Sequence, residues 1–186
     1  ALEFDGVNDY VEVAPSSDFT YGGNLTVETW MRWDGTSSVS YQIPINHGWS
    51  GGCAYRLHIH PSGALEFSAC TGSSSMGGAL SAGAWQHVAI INNGSWQVYV
   101  DGTLALSHPG AAPTDMSEQV LEFGSIGDSS CGSCPTDYAF NGAFDSARIS
   151  NTARYTSTFE PPSTLITDEY TIGLWQNNLY ALGILI

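Results

Sequence analysis

From Trp85 to Leu106 the chain reads WQHVAIINNGSWQVYVDGTLAL, and its side chains sort into two alternating sets. Val88, Ile90 and Asn92 alternate with His87, Ala89 and Ile91, and Trp96, Val98 and Val100 alternate with Gln97 and Tyr99. This period predicts two strands joined by a tight turn, then the start of a third. Asn93-Gly94 between the runs predicts a type I′ turn, whose two central residues both need positive φ, and Asp101-Gly102 predicts a second. The β-branched residues suit a pleated, half-buried surface. Such strands must bury one face, and no helical period is available to cover it. The remaining strands must supply the cover, which predicts two antiparallel sheets packed face to face.

The rest of the chain fits that expectation. Residues 2–14 read as two short strands about a turn. Residues 25–34 alternate Leu25, Val27, Thr29, Met31 and Trp33 against Thr26, Glu28, Trp30 and Arg32. A short strand is expected at Gln42–Ile45. Residues 53–60 and 64–70 form a hairpin about Pro61-Ser62-Gly63. With Gly63 as a bulge glycine, Tyr55, Leu57 and Ile59 face Ala69, Phe67 and Leu65. Further strands are expected over 118–126, 138–149 and 171–176. Roughly eleven strands with frequent turns are the signature of an all-β sandwich. Residues 1–176 read as one domain. The apolar tail 177–186 reads as a final strand or as one donated to a neighbour.

Charge narrows the partners. The formal net charge is −14, with four arginines and no lysine. Phosphate recognition needs a basic footprint, so nucleic acid and anionic membrane surfaces are excluded as partners. The acidity suits cation binding or plain solubility. No apolar run is long enough to span a membrane. The four cysteines, Cys53, Cys70, Cys131 and Cys134, are an even set that suggests disulfides and an oxidising compartment. Cys131-Gly-Ser-Cys134 has no second ligand pair for zinc and reads as a short loop disulfide. Cys53 and Cys70 stand at the far ends of one hairpin and can bridge across it. The chain opens on a strand without an initiating methionine, and reads as excised from something larger.

The stretches LEFDGVNDYVEV, LTVETWMRW, WQHVAIINNGSWQVYVDGTLA and FNGAFDSARISNTARYTSTF, in that order, resemble the laminin G-like, concanavalin A-like jelly-roll domains. The resemblance covers about residues 2–176 and implies a jelly-roll sandwich, often with one structural calcium ion. It places that ion between Asp5 and Asp145, with the Gly6 carbonyl and Asn8 completing an oxygen-rich shell. Ser146 stands where the family often has a further acidic residue. The other reading of Asp5, Asn8 and Asp9 is that they cap their own turn. The resemblance also implies a secreted or cell-surface module for adhesion or carbohydrate binding.

Sugars are held by aromatic rings against their apolar faces and by a few polar groups. Trp49, among the glycines of the 46–52 loop, either offers such a ring or folds back as an anchor. Tyr41, His47, Arg56 and His58 are expected on the same side. Trp30, Trp85, Trp96 and Trp175 lie in strands and read as core or edge packing. No paired carboxylate motif, nucleophile elbow or cysteine–histidine arrangement supports catalysis. The leading expectation is a non-enzymatic extracellular module that binds carbohydrate or glycoprotein, with calcium as a staple. The alternative is a structural subunit of a fibre, coat or adhesin that assembles with copies of itself or a larger chain.

Overall fold

The computed structural model describes residues 1–35, 41–48, 55–69, 74–126 and 137–176. Trp49, the four cysteines and the tail 177–186 lie outside these residues. Among the described residues the strands are β1 (Leu2–Asp5), β2 (Val11–Val13), β3 (Leu25–Trp33), β4 (Gln42–His47), β5 (Tyr55–Ile59), β6 (Ala64–Ala69), β7 (Ser74–Ala79), β8 (Trp85–Asn92), β9 (Trp96–Val100), β10 (Thr103–His108), β11 (Leu121–Phe123), β12 (Asn141–Ser150) and β13 (Thr171–Gln176). They form two antiparallel sheets. The back sheet runs β1-β12-β3-β8-β9-β10, with β13 also on β12, and the front sheet runs β2-β11-β4-β5-β6-β7. The molecule is an all-β jelly-roll sandwich.

The core lies between the sheets, as the alternation requires. Tyr55, Leu57 and Ile59 pair with Ala69, Phe67 and Leu65, in the expected register, and Gly63 takes φ +84° at the turn. Their inward face meets Trp96, which is fully buried with ring centroids 5.2 Å from Tyr55 and 5.0 Å from Phe67. Phe4, Phe140, Phe144, Phe123 and Trp175 fill the other end.

Of the two turns expected around the central hairpin, the first differs and the second is as expected. Asn92 pairs with Trp96, so the loop is Asn93-Gly94-Ser95 and only Gly94 has positive φ. The extra residue removes the need for a type I′ turn there. At Asp101-Gly102, φ is +48° and +73° between the paired Val100 and Thr103, so this is the turn with both central residues left-handed. β1 and β2 do not pair with each other; the turn between them passes the chain from the back sheet to the front. β7, from the sequence SSMGGA, is a strand that residue propensity does not announce. The strand expected over 118–126 is confined to Leu121–Phe123.

The outer face of the back sheet is covered as well. Residues 151–170 lie across it as a strap without strands. Ala89, Ile91 and Tyr99 pack under Ala153, Tyr155 and Phe159, whose two rings stack at 3.6 Å. Thr26 Oγ1 donates to the Thr152 carbonyl at 2.7 Å, and the Phe159 N–H donates to the Gly102 carbonyl at 3.1 Å. Double coverage explains why β8 reads as the nearly unbroken apolar run VAII.

Candidate functional site

The front sheet's outer face carries a ladder of polar side chains. In register across the sheet stand Glu12, Glu122, Asn46, Arg56, Ser68 and Ser74, one from each strand. The next row pairs His58 with Glu66. Tyr41, just before β4, lies over this second row, with ring centroids 5.1 Å from His58, 5.9 Å from His60 and 5.5 Å from Tyr138. His60 Nε2 lies 2.7 Å from Glu66 Oε2. Tyr41, Arg56, His58, His60, Glu66 and Tyr138 are all half-buried, so each keeps part of its surface available.

The electrostatics of this face are mixed. Burial pushes the Tyr41 hydroxyl up, and Tyr138 adds to it. Burial pulls the Arg56 guanidinium down, against the attraction of Tyr138, Glu122 and Tyr41. At Glu66 burial favours the neutral acid, but hydrogen bonds from Ser74 and His60 outweigh it and hold the carboxyl below its ordinary range. Burial brings His58 down to about 4, so the imidazole is neutral at pH 7. Both ring nitrogens of His58 are shielded from solvent and have no hydrogen-bond partner. A neutral imidazole offers one N–H donor and one lone pair.

The structure brings together Tyr41, Arg56 and His58 and separates His47 from them. His47 is on β4 but has the opposite parity to Asn46, so its ring enters the core. The hydroxyls of Tyr21 and Tyr55 lie 3.0 and 3.1 Å from its Nδ1, and Phe19 packs edge-on. His47 is therefore a core residue rather than a ligand contact, and burial holds it down to about 3 against a pull from Gln119. The register of β4 against β5 slips by one residue between Gln42 and Ile45, and such a bulge moves the side chains that follow to the other face.

Two buried neutral histidines give the protein an acid-sensitive stability. Folding lowers both values below the 6.5 of an unperturbed histidine, so the unfolded chain takes up protons that the native protein refuses. The stabilisation is whole above about pH 6.5 and is lost as pH falls toward the folded values. Urea unfolding should show stability declining from pH 6.5 to 5, above the range in which carboxylates titrate, by roughly 1–3 kcal/mol. His47→Gln should flatten that decline, and an equally steep one in the variant would show that other groups cause it.

The four residues expected to hold calcium do not converge. Asp5 pairs with Asn141 at one end of β1, whereas Asp145 lies beyond Phe144, the partner of Leu2 at the other end. Four strand residues separate the two positions, about 13 Å. Two oxygens of one calcium shell sit within about 5 Å of each other. Asp5 Oδ1 instead accepts the Val7 N–H at 2.8 Å, and Asp9 Oδ2 accepts the Asp5 N–H at 3.0 Å. Gly6 at φ +74° completes this self-capped turn, with Asn8 exposed on it. These residues do not fit a shared ion, and among the described residues no group of three or more His, Cys, Asp or Glu is placed to hold one.

The back sheet carries a polar cluster that the sequence did not reveal. Glu28 and His87 are fully buried, with Arg148 close to it. Arg148 Nε and Nη2 donate to Glu28 Oε1 at 2.9 and 2.6 Å, and Tyr155 donates to Oε2 at 2.9 Å. His87 Nε2 lies 3.1 Å from Oε2. Burial would raise the Glu28 carboxyl, but His87 and Arg148 overcome it and hold it below its ordinary value. No solvent or ligand reaches this group beneath the strap, so its work is structural.

A family model described as the concanavalin A-like lectin/glucanases superfamily, of the laminin G type, matches residues 5–158. No curated protein matches the chain. Among solved structures, a protein from Bacteroides ovatus named for carbohydrate binding superposes with a TM-score of 0.68 at 19% identity, over 94% of this chain and 50% of that one. A heptameric pentraxin from Limulus polyphemus gives 0.58 at 13% identity, over 82% and 76%. A sialidase from Trypanosoma rangeli gives 0.61 at 15%, over 82% of this chain and 26% of the enzyme. The chain thus spans half of the Bacteroides protein and about a quarter of the sialidase. At these identities the likeness establishes the fold alone. With the motif order, the two-sheet topology and the matched span in agreement, this chain belongs to the concanavalin A-like lectin/glucanase superfamily.

Proposed function

We propose that the protein is an extracellular, non-enzymatic module that binds carbohydrate on the outer face of the front sheet. The observation that carries the reading is the grouping of Tyr41, Tyr138, His58 and Arg56 on one half-exposed face. Tyr41 supplies a ring for the apolar face of a sugar. Arg56 and Glu66 supply a donor and an acceptor. The face is built on paired strands, so binding costs little ordering. The similarity to a protein named for carbohydrate binding supports the same class.

Binding rather than cleavage is favoured by where the carboxylates lie. Glycosidases place two of them about 5–9.5 Å apart, both open to substrate. Glu66 and Glu122 are three strand spacings apart, about 14 Å. Glu12 and Glu122 do stand opposite each other, but Glu122 is fully buried and accepts a hydrogen bond from Asn46.

On a glycan array, the wild-type protein is expected to select a saccharide that Tyr41→Ala then binds about 10–100-fold more weakly, by analogy with flat ligands on aromatic rings. The variant should keep its stability within about 1 kcal/mol. An array on which Tyr41→Ala matches the wild type would refute the front-face reading. Turnover of any glycoside would refute the non-enzymatic one.

A further inference from the structure

We propose that a second saccharide-binding site lies on the opposite side of the sandwich, between Trp30, Trp85, Asp145 and Ser163. Trp30 pairs with His87 and Arg32 pairs with Trp85, so the two indoles are diagonal neighbours on the outer face of the back sheet. Diagonal neighbours sit about 7–8 Å apart, close enough for large rings to form one platform. Trp85 is 40% exposed, unusual for a residue of its size on a strand. Beside it opens a cleft of about 490 Å³ lined by these four residues, within the range of small-ligand sites. A smaller hollow of about 180 Å³ continues past Asp145 and Ser163 to Ser146, Thr164 and Gln176.

Asp145 is placed here by a β-bulge. The register of β12 against β3 jumps from Phe144 opposite Met31 to Ser146 opposite Trp30, which leaves Asp145 as the extra residue. On its other side β12 changes partner at the same point, from Leu2 of β1 to Gln176 of β13. Bulges of this kind re-aim a side chain and break the ladder. The Asp145 side chain is 46% exposed, with the Ala1 nitrogen at 3.8 Å.

The facing wall is held still. Trp30 Nε1 donates to the Pro162 carbonyl at 2.9 Å, immediately before Ser163. Gln176 Nε2 donates to the Leu165 carbonyl at 2.5 Å and Arg148 Nη1 to the Ile166 carbonyl at 2.7 Å, just after Thr164. Ser163 and Thr164 are thus fixed between three anchors, and a pre-positioned hydroxyl wall loses little entropy on binding. Indole faces on one side, with a carboxylate and hydroxyls on the other, suit a ligand that has an apolar face and a rim of hydroxyls. The guanidinium of Arg32 already lies 5.6 Å from the Trp85 ring centroid, so a cationic ligand would meet a like charge. A neutral mono- or disaccharide meets no such obstacle.

The test follows the tryptophan indole ¹H–¹⁵N signals during titration with cellobiose, lactose and maltose, and with choline chloride as the cationic alternative. At least one sugar should shift the Trp30 and Trp85 signals at about 10 mM or below. Trp85→Ala and the isosteric Asp145→Asn should each weaken that binding by about tenfold or more, with melting temperature unchanged. Tyr41→Ala should leave it intact, which separates this site from the front face. No shift with any of the three sugars, a response to choline alone, or binding that survives Trp85→Ala overturns the proposal.

Discussion

Arg148→Met should destabilise the protein by about 3–5 kcal/mol, the range for removing one member of a buried ion pair. Arg148 and Glu28 are 5% and 0% exposed, and the guanidinium donates twice to one carboxylate oxygen. Without it, Glu28 keeps His87, Tyr155 and the more distant Arg154, whose Nε lies 3.8 Å from Oε1, but loses the guanidinium that donates to it directly and most strongly opposes its burial. Burial is the largest influence on Glu28 and favours the neutral acid. In the variant its folded pKa should therefore rise above the unfolded value. A group raised in this way stabilises at low pH and loses that contribution as pH rises, so the deficit in the variant should shrink toward pH 4. Urea unfolding at pH 7 and pH 4.5 tests both parts. A deficit under about 1 kcal/mol, with no pH dependence, would mean that the cluster is solvated in solution. Glu28→Leu combined with Arg148→Met should recover much of the loss, because an apolar pair needs no desolvation.

Gly102→Ala is expected to cost about 3 kcal/mol and to lift the strap from the sheet. The residue has φ +73° in the Asp101-Gly102 turn, and a β-carbon there would collide with the Phe159 carbonyl oxygen. The same turn accepts the Phe159 N–H, so the collision falls on the contact that docks the strap. Trypsin reads the result directly, since Arg154 lies in the strap and pairs with Asp168 at 2.6 Å. Cleavage after Arg154 should be slow in the wild type and early in the variant. Gly102→Asn tolerates the backbone angle but carries the same β-carbon, so it should fare no better. Gly22, at φ +61° with nothing within 4 Å of its would-be β-carbon, is the control: Gly22→Asn should be nearly neutral. Rescue by asparagine at position 102 would show that backbone angle, not the collision, governs the site.

What the sequence made legible was whatever depends on short-range alternation. The β5–β6 register was readable because Gly63 and the Tyr55, Leu57, Ile59 series constrain each other within a few residues. The side-to-side division of β3 was equally plain, yet its consequence was not. Glu28 alternates with core residues as a solvated residue would, and only the strap, more than a hundred residues later, buries it. Arg56 and His58 were found by the same alternation, and His47 was misplaced because Gln42–Ile45 proved to extend to His47 with the parity reversed. Trp30 and Trp85 passed for packing residues because tryptophan in a strand usually is one; their meeting on one face depends on cross-strand pairing. Asp145 was noticed as a partner for Asp5, but it lies four residues along β12 from the residue that Asp5 pairs with. β7 escaped notice because serine and glycine carry little strand preference, and its place is set by pairing with β6.

The arrangement along β12 has a mechanical side. β13 and β1 run in the same direction on the same edge, β13 ending at Gln176 opposite Ser146 and β1 beginning at Leu2 opposite Phe144. They form what is in effect a single long strand with a nick of about 7 Å at Asp145. A circular permutant would need only a few residues to close that nick, with new ends opened at a tolerant turn such as Asn93-Gly94. In any longer chain, segments attached at Leu2 and Gln176 would leave from one spot. The sandwich would then hang from its neighbours as a pendant, and tension passing along such a chain would cross the nick without being transmitted through the two sheets.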